Sequence, residues 1–139
     1  MSATGNATRT AIVVRTGLPT WQALNITAFL ASGLASDAPN IIGAPYHDAQ
    51  GDRYCRMFTQ PVIVFEAMQP RLSSILSEAK MSGLVIALFT EELLKTNNDI
   101  DNRAAFAAFA PADMRLLGIG LFGSRKIIGK LLKDVAKHP

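Results

Sequence analysis

Four short, almost wholly apolar runs punctuate this chain, at residues 11–14, 62–65, 84–89 and 114–122. Runs of this length, rich in β-branched residues, read as strands buried on both faces. Stretches with helical spacing separate them. Residues 21–32 read as a helix with Thr20 as N-cap and Gly33 as its stop. Trp21, Leu24, Ile26, Phe29 and Leu30 point in several directions around it, and a helix apolar almost all round is buried on more than one side. Residues 71–82 keep Leu72, Ile75, Leu76 and Ala79 on one face. Residues 91–95 suit a helical turn, 99–110 a further helix and 124–137 the last one. Strands alternating with helices specify an α/β domain. We expect a three-layer α/β/α sandwich with a four-stranded mixed sheet. Residues 46–55 add an inserted β-hairpin around Gln50-Gly51 that makes the sheet mixed, pairing Asp48 with Arg53, His47 with Tyr54 and Tyr46 with Cys55.

The 139 residues suit one domain over 11–139, with 1–10 as a flexible leader. A single Cys55 rules out an internal disulfide, and two His and one Cys are too few soft ligands for structural zinc. No cofactor is expected. The longest uncharged run, 16–36, holds Pro19, Gln22, Asn25 and three Thr, too polar for a membrane span. The first ten residues lack an apolar signal core. The expected location is cytoplasmic, without a membrane partner.

The isoelectric point is about 9.3. Of 14 basic and 11 acidic residues, five basic and one acidic lie from Gly123 onward, leaving nine and ten before it. As a helix, that tail would align Lys126, Lys130, Lys133 and Lys137 on one face. The stripe reads as a solvated helix face or as a contact for RNA phosphates. Arg125 and Lys126 would oppose the helix dipole by about 0.3–1 kcal/mol each. A bound anion reverses that sign; otherwise both reach into water.

Gly118-Ile-Gly120-Leu-Phe-Gly123 matches G-x-G-x-x-G. A dinucleotide site also needs a further strand and an acid about twenty residues on. Sixteen residues follow Gly123 here, so we expect these glycines to serve close packing. Glu91 and Glu92 follow the third strand, where a carboxylate suits a general base or simply a helix start. Glu92 reads as a solvated charge. Asn25, on a mostly buried helix, either bonds a loop or lines a pocket at the strand ends. His47 and Cys55 fall on different hairpin faces, which argues against a thiol–imidazole pair.

Val13-Val14-Arg15-Thr16-Gly17-Leu18, the helix Ile26-Thr-Ala-Phe-Leu-Ala-Ser-Gly33, Gln60-Pro61-Val62-Ile63-Val64, Ala79-Lys80-Met81-Ser82-Gly83-Leu84 and residues 116–132 resemble type 2 peptidyl-tRNA hydrolases. A bacterial family of unknown function with this fold is the closer match. It shares Trp21 and Asn25, Tyr46-His-Asp-Ala with Gly51 and Tyr54, Gln60-Pro61, Glu91-Glu92, Asn102-Arg103 and His138-Pro139. The likeness runs from about residue 11 onward. It implies a homodimer and a site formed by Asn25, Glu91 and Thr96. Trp21, Tyr46, His47, Tyr54, Arg125 and Lys126 would contact a small-molecule or tRNA-like anionic ligand, with the hairpin as rim. The hydrolases' lysine before the first helix is absent here, Asn25 standing in that region, and Glu91 replaces their aspartate. An ester or amide hydrolase would use Glu91 as base or water-orienter and Asn25 as oxyanion donor. A non-catalytic module binding a small molecule or RNA is the alternative.

Overall fold

Residues 7–38 and 40–139 are described in the structure, a computed structural model. In chain order the elements are β1 (Thr8–Arg15), α1 (Thr20–Asp37), β2 (Tyr46–His47), β3 (Arg53–Tyr54), β4 (Val62–Ala67), α2 (Gln69–Met81) and β5 (Val85–Thr90). A 3₁₀ turn (Glu91–Leu94), α3 (Asp99–Ala107), a second 3₁₀ turn (Pro111–Asp113), β6 (Leu116–Ser124), α4 (Arg125–Leu131) and β7 (Ala136–Lys137) complete it. Among the described residues, no helix is long and apolar enough to cross a membrane.

β1 is the central strand because Thr10 through Val14 can be buried on both faces without leaving a charge unpaired. It pairs in parallel with β4, Ala11 opposite Ile63, and antiparallel with β6, Ile12 opposite Gly120. β5 closes the far side of β6 and β7 the far side of β4, both antiparallel. The sheet order is β5-β6-β1-β4-β7. β1, β4 and β5 therefore run the same way, and their C-terminal ends share one end of the sheet. Alternation sorts the core. Ile12 and Val14 pack with Ile26, Leu30 and Leu34 of α1. Ala11 and Val13 pack on the other face with Leu72, Ile75 and Leu76 of α2 and Ile128 of α4.

The fold class agrees with the alternation of runs, but the sheet has five strands rather than four. The last helix ends at Leu131 instead of running to residue 137. Arg71 of α2 donates to the Leu131 carbonyl at 2.8 Å, satisfying an open helix end. The chain then turns, and Ala136–Lys137 takes the free edge of β4, where the His138 amide also bonds the Val64 carbonyl at 2.9 Å. Lys133 and Lys137 consequently leave the helix, and the four-lysine stripe does not exist. At the other end of α4, Ser124 caps as expected, accepting from the Ile127 amide.

The hairpin forms its own two-stranded sheet and does not make the central sheet mixed. Its register is one residue off the expected one: Tyr46 faces Tyr54 and His47 faces Arg53. The turn closes as a pair between Asp48 and Asp52, with Gly51 at φ +89°, so the tip takes one residue fewer than expected from a Gln50-Gly51 centre. Helix α1 passes through Gly33 for another turn because Leu34 beyond it is fully buried. Gly118 and Gly120 let α1 lie close: a Cβ at Gly118 would stand 2.8 Å from both Ile26 and Leu30. The G-x-G-x-x-G run is thus a packing surface. β1 begins at Thr8, inside the range expected to be leader, and residues 1–6 lie outside the described residues. α3 stops at Ala107, short of the expected 110, and Pro111 opens the following 3₁₀ turn.

Candidate functional site

A polar cluster occupies the end of the sheet where β1, β4 and β5 terminate. Each strand delivers one member. Arg15 is the last residue of β1, Gln69 the first of α2 after β4, and Glu91 the first after β5. Arg115, just ahead of β6, comes in from the antiparallel strand. Open α/β sheets place ligands beyond the carboxyl ends of their strands.

Arg15 is the hub of charge. Its guanidinium donates to Glu91 Oε2 at 2.8 Å and to Gln69 Oε1 at 2.6 Å. Arg115 Nε stands 3.6 Å from Glu91 Oε1 and pairs through its outer nitrogen with Glu92. Both oxygens of Glu91 thus face a guanidinium. Glu92 is the less exposed acid, at 13% against 31% for Glu91. Glu92 is therefore an ion-paired residue and not the solvated charge expected from its position. The hydrogen bond from Arg115 holds its carboxyl below the usual carboxylate range. Gln69 is fully used: its oxygen also accepts from the Leu116 amide at 2.9 Å, and its nitrogen donates to Ser73 Oγ and the Met114 carbonyl. Three buried atoms here have no partner among the described residues: Arg15 Nε, Thr90 Oγ1 and Glu92 Oε1. Buried polar atoms are nearly always bonded, so an unpaired group of them marks a place for further hydrogen bonds.

Of the expected site, only Glu91 belongs to this cluster. Thr96 Oγ1, in the loop leading to α3, donates to Asn102 Oδ1 inside that helix. Asn25 shares with exposed Trp21, Ala28 and Ser32 the side of α1 opposite Ile26, Leu30 and Leu34, which pack on the sheet. Among the described residues no hydrogen bond or ion pair joins Asn25, Glu91 and Thr96. Arg125 and Lys126 follow Ser124, which pairs with Thr8 at the opposite end of β1 from Arg15. At about 3.3 Å per residue, seven steps separate the two ends by roughly 23 Å. The stem of the hairpin starts at that same far end. Ile42 bridges Phe58, and neighbouring Gln60 bonds Thr8 and Thr10. Residues 46–57, with Tyr46, His47 and Tyr54, are exposed throughout.

Arg15, Gln69 and Arg115 are the cluster members not expected from the sequence. The rule that polar residues at strand ends face the ligand side would have found Arg15 and Gln69 once the strands were placed. Arg115 gave no such signal, because the run 114–122 reads as apolar strand. Cys55 is exposed and free, and among the described residues no three His, Cys, Asp or Glu side chains group as a metal site.

Residues 8–139 match the model of a family described as protein of unknown function (DUF2000). The chain belongs to this family. A solved structure of a protein of unknown function, Atu0240 from Agrobacterium tumefaciens strain C58, is 34% identical to it. The alignment covers 96% of this chain and 98% of that one, with a TM-score of 0.91. No curated protein matches. The family of unknown function expected from the Trp21, Tyr46–Tyr54 and Glu91-Glu92 motifs is thereby borne out.

Proposed function

We propose that this member of the DUF2000 family is a non-catalytic binding module on a type 2 peptidyl-tRNA hydrolase-like scaffold. It takes a small anion-bearing ligand at the strand ends around Glu91 and Arg115. The observation that carries this reading is the engagement of both Glu91 oxygens by Arg15 and Arg115. A general base needs an oxygen free to take a proton from substrate or water. Here Arg15 hydrogen-bonds one oxygen and Arg115 stands 3.6 Å from the other, which suits a carboxylate that holds two guanidinium groups in place. Arg115 is 53% exposed and shared between Glu91 and Glu92, so an incoming carboxylate or phosphate would take the guanidinium N–H groups these acids leave open.

An ester or amide hydrolase with Glu91 as base is the second reading. It is favoured by the position of Glu91 at a strand end, partly open to solvent. Incubation with peptidyl-tRNA separates the two. The binding module releases no free tRNA; release that disappears in Glu91→Gln would install the hydrolase instead. In the same samples, tRNA retained without cleavage, weakening steeply with salt and in a Lys126→Ala, Lys130→Ala double variant, would identify an RNA-binding module.

A further inference from the structure

We infer that one face of the hairpin ribbon binds a soft monovalent metal ion, copper(I), through His47, Cys55 and Met57. The register decides which side chains share that face. In the register expected from the sequence, His47 and Cys55 fall on opposite faces. The observed register is shifted by one residue, with Tyr46 opposite Tyr54 and His47 opposite Arg53. A one-residue slip sends every side chain of one strand to the other face. His47 therefore shares a face with Arg53, Cys55 and Met57. The same register holds along the ribbon. The Gly43 amide bonds the Met57 carbonyl at 2.9 Å and Ile42 bridges Phe58, so Gly43 stands opposite Met57. Pro45 has no N–H to give and interrupts the ladder opposite Cys55, but no extra residue enters either strand. Alternation thus carries through from Arg53 to Met57.

The spacing suits a single ion seated over Cys55. Met57 lies two residues along the same strand, about 6.6 Å away between Cα atoms. His47 is the diagonal neighbour across the ribbon, about 7–8 Å away and closer between Cβ atoms. Both side chains are long enough to lean over the thiol between them. His47 and Met57 line one hollow of about 430 Å³ together with Gly43 and Pro45. All three donors are exposed, and the Cys55 thiol is free.

The donor set names the ion. Thiolate and thioether sulfur select Cu(I), and imidazole also suits copper. Zinc takes thiolate, imidazole and carboxylate ligands, not thioether. No carboxylate joins this face: Asp48 lies on the other one, bonded to the Tyr54 hydroxyl. Arg53, opposite His47, adds a positive charge that penalises a dication more than a monovalent ion. Binding replaces the thiol S–H bond by an S–Cu bond and releases the proton to water. The metal keeps its oxidation state, so no reductant is consumed. The bound ion clips together two strands that are marginal as an isolated pair.

An anaerobic competition titration on the full chain tests this. Cu(I) is offered as its complex with the chromophoric chelator bathocuproine disulfonate. The wild-type chain is expected to withdraw one Cu(I) per chain. Cys55→Ser is expected to abolish withdrawal. Loss of an outer-shell partner alone weakens metal sites about 10–100-fold, so Met57→Leu and His47→Gln should each weaken binding by at least about tenfold. All three side chains are exposed, so the metal-free variants should melt with the wild type. With Ag(I) as a redox-inert probe, the Met57 methyl and His47 imidazole resonances should shift, while those of Met68 and His138 stay. A chelator that keeps all its copper overturns the site. So does wild-type affinity in both Met57→Leu and His47→Gln, which would mean an adventitious contact of the thiol alone. One ion shared between two chains overturns it as well.

Discussion

The Gln69 amide makes four hydrogen bonds, three of which tie α2 to β1 and to the chain entering β6. One of them satisfies the amide of Leu116, a fully buried residue. Removing a partner from a buried donor costs about 1–3 kcal/mol, more than the bond itself contributes. Gln69→Leu is therefore expected to lower stability by about 2–4 kcal/mol, read from urea unfolding. A loss under half a kcal/mol would show that the cluster tolerates these groups unpaired. Glu92 gives a second residue-scale test, through pH. Its folded pKa is depressed below the usual 4.5, mainly by the Arg115 hydrogen bond. Its contribution is thus present above the unfolded pKa and lost as pH falls through the folded one. Asp134, lowered chiefly by its bond from Arg71, acts in the same sense. Melting temperature should fall from about pH 5 downward, and Arg115→Ala should flatten part of that fall. An identical pH profile in the variant would remove Glu92 from the account. Glu91 was readable from sequence because it follows an apolar run directly. Gln69 was not, since one amide gains importance only when three chain segments meet at it.

At the scale of elements, local periodicity located every strand of the core except β7. It misplaced the ends. Gly33 reads as a stop, yet tertiary burial of Leu34 carries α1 onward. The hairpin shows the opposite balance, because its residues are exposed and its own chemistry decides its register. The Asp48 carboxylate accepts from the amides of Gln50 and Asp52 and from the Tyr54 hydroxyl at 2.8 Å. The Tyr54 bond is also the leading reason the Asp48 carboxyl sits below its usual pKa. Asp48→Ala is expected to open the hairpin tip while leaving the core intact. Amide exchange at residues 50–54 should speed up, with the global melting temperature essentially unchanged. If the tip stays protected, backbone pairing alone holds it. The α1–β6 contact behaves differently. A Cβ at Gly118 falls 2.8 Å from two side chains of α1, so Gly118→Ala should cost about 1–3 kcal/mol by overpacking. Equal stability in urea would mean that α1 lifts freely, contrary to its role as the cover of that face.

For the whole molecule, the basic tail changes meaning. Its charge made a lysine-striped helix look natural, but an edge of the sheet competes for the same residues. Helix propensity is a weak prior of at most about 0.7 kcal/mol per ordinary residue, which ladder bonds on β4 readily override. Without β7, the outer edge of β4 would lose its partner at Val64, Phe65 and Glu66 and become unpaired along its length. Such an edge is a template for pairing with another chain. β7 is only two residues long, both exposed, and sets Lys137 opposite Phe65. Short edge strands carrying lysine discourage further pairing. Truncation after Val135 is therefore expected to do two things. Losing the ladder and the His138–Val64 bond should lower stability by about 1–3 kcal/mol. The uncovered edge should also produce concentration-dependent aggregates on size exclusion, absent from the full chain. Lys137→Val separates the two effects, since it keeps the ladder and removes the charge. It should retain stability yet associate more. A truncated chain that remains unaggregated and equally stable would show that β7 decorates the sheet without guarding it.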